Sequence, residues 1–217
     1  MFQCYDLRVS EIQNQPLSGR RQQAARNDEL ILAAARQVFL ADPGAPISAV
    51  AKRAGVGISA LYTRYASKED LLRKLCRDGL QIVVDATELA LEDERDHALV
   101  FEEYMRRLVD ADTSSLTLAL AGSFTPTEDM FALAERANEL FDRFFARIAH
   151  TLRPGLGPHD ISLVFEFLAA VRVADRGRTE QLRRRYLALV LDGLRARAGE
   201  LPGPGPSWRE ITERWEV

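Results

Sequence analysis

Apolar residues recur at steps of three and four along most of this chain, which is the spacing that places them on one face of an α-helix. Helical periodicity starts near residue 20. The first helix with a clear apolar stripe covers about residues 27–40, and a longer one covers about residues 68–91. The last two long segments cover about residues 160–174 and 179–198. Alternation of apolar and polar positions, which is typical of strands, is nearly absent. The pattern therefore predicts an all-α protein, with a small N-terminal domain of three helices and a larger C-terminal helical bundle.

Two very short apolar segments lie within "ISAVAKRAGVGISALYTRYASKEDLL", which covers residues 47–72. Ser48 is predicted to cap the first short helix, and Gly55 is predicted to end it with a positive φ. Ser67 and Asp70 fit a capping box for the long helix that follows. Isolated helices shorter than about a dozen residues are marginal in water. The two short helices must therefore brace each other and the helix before them.

Two short helices joined by a glycine turn and packed on a third helix form the helix-turn-helix layout. The second of the two short helices enters the major groove of DNA in that layout. Charge supports this interpretation, because residues 20–74 hold ten basic and five acidic residues although the whole chain has a net charge of −3. A basic module joined to an acidic body indicates that the N-terminal part meets phosphate.

The stretch "AARNDELILAAARQVF", followed by the segment quoted above, resembles the DNA-binding domain of TetR/AcrR-family transcriptional regulators. The resemblance covers about residues 20–75, and its core "AGV…LY…Y.SKE.LL" is far more specific than a generic helix-turn-helix pattern. It implies an all-helical homodimer that binds a palindromic double-stranded DNA operator. It also implies a C-terminal domain for dimerisation and for a small-molecule ligand that relieves repression.

The family's DNA contacts are carried over by position. Base-edge contacts fall around the start of the second short helix, and phosphate contacts fall at its end and at the start of the next helix. Ile47 stands where family members often have a phosphate-binding threonine, so Ser48 is expected to supply that contact. The two N-terminal arginines either reach the minor groove or are a solvated helix end. The candidate DNA contacts are Arg20, Arg21, Ser48, Gly57, Ile58, Ser59, Tyr62, Thr63, Arg64 and Lys68.

Most aromatic residues of the C-terminal part lie at helical spacings and are expected to be core. The alternative is that some of them line an apolar cavity between bundle helices, which is a usual location for ligand sites. Met105 is flexible and polarizable, which suits an adaptable cavity wall. The candidate ligand contacts are Met105, Phe124, Phe141, Phe145 and Phe165.

Apolar stripes on the last two long helices predict a two-fold dimer through a four-helix bundle. The alternative is that both stripes pack inside a monomer. The stripes consist of Ile161, Val164, Leu168 and Val171, and of Leu182, Tyr186, Leu189, Val190 and Leu194.

Other kinds of chemistry have little support in the sequence. The three histidines lack metal-ligand spacing, and neither a nucleophile–base set nor a glycine-rich phosphate loop is visible. We therefore expect no catalytic residue, metal or cofactor. The chain has no signal-peptide pattern and no apolar run long enough to cross a bilayer, so we expect a cytoplasmic protein without a membrane partner.

The expected division is a flexible N-terminal arm (residues 1–19), a helix-turn-helix DNA-binding domain (20–67), a ligand-binding and dimerisation domain (68–199) and a C-terminal tail (200–217). The leading interpretation is a ligand-responsive DNA-binding regulator. One rival is an interaction protein that uses the helix-turn-helix fold without operator binding, which salt-sensitive binding to a palindromic duplex would exclude. The other rival is an enzyme whose bundle holds a substrate, which turnover would support.

Overall fold

The computed structural model describes residues 19–195 and 201–215, and within these ranges every regular element is helical. The all-α prediction is confirmed. Short 3-10 turns follow the seventh and tenth α-helices, at Ala149–Thr151 and Glu213–Trp215. The α-helices are α1 (Gly19–Ala41), α2 (Ile47–Ala54), α3 (Ile58–Arg64), α4 (Lys68–Glu92), α5 (His97–Ala111), α6 (Thr113–Leu120), α7 (Glu128–Ile148), α8 (Pro158–Ala170), α9 (Arg176–Arg195) and α10 (Trp208–Thr212).

Helix α1 begins at Gly19, next to the predicted onset of helical periodicity near residue 20. Its first turns, "GRRQQAAR", precede the apolar stripe that marks residues 27–40. Arginine, glutamine and alanine are nevertheless good helix formers. Gln23 also donates a hydrogen bond to Asn27 one turn later, at 2.9 Å. Of the predicted arm, residues 1–18 lie outside the described residues.

The turn between α2 and α3 depends on Gly55, whose φ is +69°. Its amide donates to the carbonyl of Lys52, and the amide of Val56 donates to the carbonyl of Ala51. This is the Schellman arrangement, which favours glycine because the left-handed region is strained for other residues. The prediction for Gly55 is confirmed. The prediction for Ser48 is wrong, because α2 begins at Ile47 and its N-cap is Pro46, without a side-chain cap.

The first hydrophobic core lies between α1, α2, α3 and the start of α4. Later residues complete this core, namely Leu116 and Leu120 of α6 together with Phe124 and Met130. Each of the two short helices contributes few buried side chains, such as Val50 of α2 and Leu61 of α3, both fully buried. They pack in one cluster with Phe39 of α1 and Leu71 of α4. Cys76 lies in the same cluster, and burial raises the pKa of its thiol to about 12. Cys76 is thus a small apolar core residue.

Helix α4 connects the two parts of the molecule. Its N-cap is Ser67, whose hydroxyl accepts from the amide of Asp70 at 3.0 Å, which is one half of the predicted capping box. Its first turns belong to the N-terminal core, while the rest of the helix packs against α5, α6 and α7. A displacement of helices in the C-terminal bundle can therefore move α4, which is the helix that follows α3 in the chain. The predicted domain boundary at residues 67 and 68 stays a prediction.

The junction between α8 and α9 lies earlier in the chain than the sequence predicted. Helix α8 ends at Ala170 rather than near residue 174, and α9 starts at Arg176 rather than near residue 179. Polar side chains of α9 bind the intervening backbone. The Thr179 hydroxyl accepts from the amide of Val173 at 3.1 Å, and Arg183 donates from Nε to the carbonyl of Val171 at 3.1 Å.

The apolar stripes of α8 and α9 divide between two sides. Ile161, Leu168 and Leu194 are buried within the chain's own second core, so that part of the predicted dimer face is wrong. Other apolar side chains of these helices are exposed. The prediction named Tyr186 and Leu189 among them and missed Leu163 and Phe167.

Candidate functional site

Helix α3 presents nearly all of its surface to solvent. Leu61 is its buried residue, whereas Tyr62 is 50% exposed and Ile58 is 40% exposed. Most of the predicted DNA contacts are exposed on α2, α3 and the turn between them. The exposed members are Ser48, Gly57, Ile58, Ser59, Tyr62, Thr63 and Arg64, and Lys68 at the start of α4 is half-buried. Arg20 and Arg21 lie in the first turn of α1, and their side chains lie outside the described residues.

Asp28 of α1 holds the end of α3 in place. Its Oδ1 accepts from Arg64 Nε at 2.9 Å and from the Tyr65 hydroxyl at 2.7 Å. The Arg64 hydrogen bond lowers the pKa of the Asp28 carboxyl below its usual value, with burial opposing and the Tyr65 bond assisting. Burial, together with the bond to Asp28, raises the pKa of Tyr65 above its usual range. No sequence pattern singles out Asp28, because its partners lie 36 and 37 residues away.

Two of the predicted phosphate contacts have partners within the chain. Thr63 donates from its hydroxyl to the carbonyl of Ser59 at 2.8 Å, one turn earlier in α3. Lys68 donates from Nζ to the carbonyl of Pro43 at 2.9 Å, and its ammonium lies 5.2 Å from the centre of the Phe39 ring. A cation over an aromatic face is a favourable arrangement. Lys68 therefore also ties α4 to the loop between α1 and α2.

The C-terminal bundle contains a cavity of about 210 Å³. Its walls come from α4, α5, α6, α7 and α8, and the segment around α10 forms a further wall. Tyr104 and Phe141 stack in the wall, with ring centres 5.8 Å apart. The Tyr104 hydroxyl lies 3.3 Å from the Thr87 hydroxyl, and burial raises the pKa of Tyr104. The cavity is thus mainly aromatic and apolar, with polar groups such as Asn138 and Ser162 at its surface.

The predicted ligand contacts fall in three different places. Phe141 and Phe165 line the cavity. Met105 and Phe145 are buried in the second core and are not among the cavity residues. Phe124 belongs to the first core and to a separate, more open cleft beside the start of α4. The assignment of ligand contacts stays a prediction.

The cavity residues that the prediction missed include the aromatic side chains of the C-terminal segment. Trp208, Ile211 and Trp215 all line the cavity. Their spacing of three and four marked an amphipathic stretch in the sequence. That spacing does not show which surface the stretch covers, because the linker that precedes it is rich in proline and glycine.

Among residues 19–195 and 201–215, no group of three or more histidine, cysteine, aspartate or glutamate side chains is placed to hold a metal ion. None of the helices in these ranges is both long enough and apolar enough to cross a membrane.

Comparison with known proteins finds similarity to one family of bacterial regulators. The family model for bacterial regulatory proteins of the tetR family matches residues 31–75, which include the exposed surface of α2 and α3. The nucleoid occlusion factor SlmA of Marinobacter nauticus is 29% identical over 131 residues, which are 58% of this chain and 67% of that protein.

Solved structures have the same fold over most of the chain. A TetR transcriptional regulator from Streptomyces coelicolor is 28% identical with a TM-score of 0.51, over 78% of this chain and 99% of that one. The TetR-like regulator LfrR from Mycobacterium smegmatis, solved in complex with proflavine, is 21% identical with a TM-score of 0.57, over 82% of this chain and 99% of that one. The match over residues 31–75 and the shared helical architecture make the chain similar to bacterial transcriptional regulators of the TetR family.

Proposed function

We propose that this regulator is a cytoplasmic repressor that binds a palindromic DNA operator as a homodimer and leaves it when a small apolar or aromatic molecule enters the bundle cavity. The observation that carries the proposal is the exposed side of α3. A seven-residue helix held by Leu61 and by the Asp28 bond to Tyr65 exposes most of its remaining side chains. A surface helix so weakly covered by its own protein is well suited to fit into a major groove.

The chemistry of that surface matches DNA in two ways. Gly57 and Ser59 are small and lie at the start of α3, where they allow close approach to base edges. Tyr62, Arg64 and Lys68 offer a hydroxyl and two cations for phosphate oxygens, which position a protein on the duplex without reading its sequence. The Arg64 guanidinium binds Asp28 through Nε, so its orientation is already set before DNA arrives.

The exposed side of α8 and α9 supports dimerisation. Leu189 is 59% exposed and Phe167 is 56% exposed, and Leu163 and Tyr186 lie exposed on the same two helices. Pairing this surface with its two-fold copy makes a four-helix bundle that removes these side chains from water. Two recognition helices about 34–36 Å apart then match successive major grooves.

The cavity supports control by a ligand. Helix α4 contributes Gly79, Leu80 and Val83 to the cavity wall, and the same helix begins immediately after the DNA-binding surface. A ligand that fits better when α4 is tilted favours a dimer with the wrong spacing of its α3 helices. Reversing a 99:1 preference for the operator-bound conformation requires about 5.5 kcal/mol of differential ligand affinity.

Selection of bound genomic fragments by the purified protein tests operator binding. A palindromic site should be enriched, and its affinity should fall steeply as salt rises. Lys68→Ala should weaken binding to all sequences alike and lower the salt slope by about one unit. Lys74→Ala is the matched control, because Lys74 pairs with Asp78 within α4 and should leave the slope unchanged. Enrichment of no site, or equal slopes for both variants, would contradict the proposal.

A screen for compounds that release the selected fragment tests the repressor mechanism. Active compounds should be apolar or aromatic and should protect the protein from thermal unfolding in the absence of DNA. Their release activity should depend on cavity residues such as Phe141, while operator affinity without compound stays close to that of the wild type.

A further inference from the structure

The C-terminal segment is held against the body of the protein at several points. Leu201 Cδ1 lies 3.9 Å from the position that a Cβ on Gly155 would take, and Gly205 lies closely against the carboxylate of Asp160. The Trp208 ring then packs beside the His159 ring, with ring centres 5.9 Å apart. The segment thus follows the start of α8 before it reaches the cavity.

Helix α10 is stabilised by hydrogen bonds within its own turn, and its apolar side faces the cavity. Ser207 and Glu210 form a reciprocal capping box, and the Thr212 hydroxyl bonds to carbonyls one turn earlier. These polar groups are satisfied within the helix, so the segment can leave the cavity without losing them. Trp208, Ile211 and Trp215 instead supply one wall of the cavity and are each half-buried.

The cavity is smaller than most ligand-binding pockets while this segment forms one of its walls. The volume is about 210 Å³ with the segment in place, whereas pockets for drug-sized ligands usually measure about 300–1,000 Å³. The cavity is partly open to solvent, so a ligand of that size becomes fully enclosed only if a wall moves. The other walls are helices of the packed bundle, while this one is a five-residue helix on a linker of sequence "LPGPGP".

Trp215 also contacts residues that lead to the DNA-binding domain. Its ring meets the Phe124 ring edge to face, with centres 5.7 Å apart and planes at 62°. The next residue, Thr125, accepts from Arg73 Nε at 3.1 Å and donates from its amide to Glu69 Oε1 at 3.3 Å. Glu69 and Arg73 lie in the first two turns of α4, which is the next helix after α3 in the chain.

We propose that residues 207–215 form a lid over the ligand cavity, and that opening of this lid is what weakens operator binding. The lid rests on the proposed function of the cavity as the ligand site. A ligand larger than the closed cavity displaces Trp208, Ile211 and Trp215. Loss of the contact between Trp215 and Phe124 then frees the loop before α7, which is hydrogen-bonded to the start of α4. The same segment thus covers the cavity and, when a ligand displaces it, changes the contacts at the start of α4.

The two tryptophans of the chain, Trp208 and Trp215, both lie in this segment, so their fluorescence reports the lid directly. In the full-length protein, acrylamide should quench both tryptophans more strongly once a releasing compound is bound. Unchanged quenching at saturating compound would overturn the lid.

Removal of the lid supplies the second test. A chain that ends at Pro206 and the Trp215→Ala variant should both bind the dye anilinonaphthalene sulfonate about tenfold more tightly, which corresponds to a lid closed about nine tenths of the time. Both should bind the selected operator several-fold more weakly. Arg209→Ala, on the exposed side of α10, should change neither affinity.

The outcomes separate the lid from the proposed function. Tighter dye binding together with weaker operator binding supports the lid and its coupling. Unchanged dye binding in a folded Trp215→Ala variant, checked by circular dichroism, overturns the lid even if the operator is bound normally. Tighter dye binding with unchanged operator affinity overturns the coupling. A wild-type protein that selects no operator contradicts the proposed function, while the dye measurements still decide whether the segment covers the cavity.

Discussion

Arg183 of α9 and Asp112, between α5 and α6, form an ion pair in which Nη1 and Oδ1 lie 2.5 Å apart. Arg183 is only 5% exposed, and its Nη2 also donates to the Ser115 hydroxyl and to the carbonyl of Ala169. The main-chain carbonyl of Asp112 accepts from Arg36 of α1 at 2.9 Å. Asp112 therefore joins a helix of the DNA-binding domain to a helix of the proposed dimer face.

Replacement of Arg183 tests the cost of breaking this buried cluster. Arg183→Met should lower the free energy of unfolding by about 3 kcal/mol, because it leaves a carboxylate and several acceptors without their donor. The neighbouring Arg184 is exposed and pairs with Asp110 on the surface, so Arg184→Met should cost less than about 1 kcal/mol. Urea unfolding of the two variants measures the difference. Equal losses of unfolding free energy in the two variants would show that burial of Arg183 does not increase its contribution to stability.

The bond from Asp28 to Arg64 and Tyr65 predicts a pH-dependent contribution to stability. The pKa of Asp28 is lower in the folded protein than in the unfolded chain, mainly because of Arg64. Its contribution is therefore fully present above about pH 4 and is lost as the pH falls through the folded pKa.

The Asp28→Asn variant makes this contribution measurable. It should cost about 1 kcal/mol of unfolding free energy at neutral pH, and its deficit relative to the wild type should shrink below about pH 4. Unfolding curves at several pH values provide the comparison, with Asp85→Asn as the control, since Asp85 is exposed on α4. A deficit that stays constant down to pH 2 would contradict the assignment.

Two neighbouring glycines should respond to substitution with opposite signs. Gly55 has a φ of +69°, so Gly55→Ala should destabilise the protein by about 1 kcal/mol. Gly57 has a φ of −65° and is the N-cap of α3 without a side-chain cap. Gly57→Ser should stabilise by a few tenths of a kcal/mol, because serine can cap the helix and no atom lies within 4 Å of the added Cβ. Thermal unfolding measures both variants: the melting temperature should fall for Gly55→Ala and rise slightly for Gly57→Ser.

The proposed dimer face can be tested with two equally exposed leucines. Leu189 on α9 is 59% exposed and Leu99 on α5 is 58% exposed. Leu189→Glu should convert a dimer to a monomer at micromolar concentration, because a charge in a buried interface is costly. Leu99→Glu should leave the dimer intact. Light scattering that shows a dimer for both variants, or a monomer for the wild type, would rule out this face.

The sequence by itself determined those features that depend on neighbours within a few residues. The apolar period predicted α4 within one residue at its end, and glycine at position 55 predicted the turn before α3. Ser67 was predicted to cap α4, and the structure confirms its bond to the amide of Asp70. Helical hydrogen bonds and caps join residues three to five apart, so their signals lie within a short stretch of the chain.

Only the tertiary structure decided which apolar and polar side chains meet. Periodicity marks one side of a helix as apolar, but α8 and α9 have apolar residues on two sides. Packing against the bundle buried Ile161 and Leu168 and left Phe167 and Leu189 exposed. Likewise, Phe141 lines the cavity while Phe124 packs on Trp215, more than ninety residues away. Such contacts depend on how helices that are distant in the sequence pack together, and a local sequence pattern does not specify that packing.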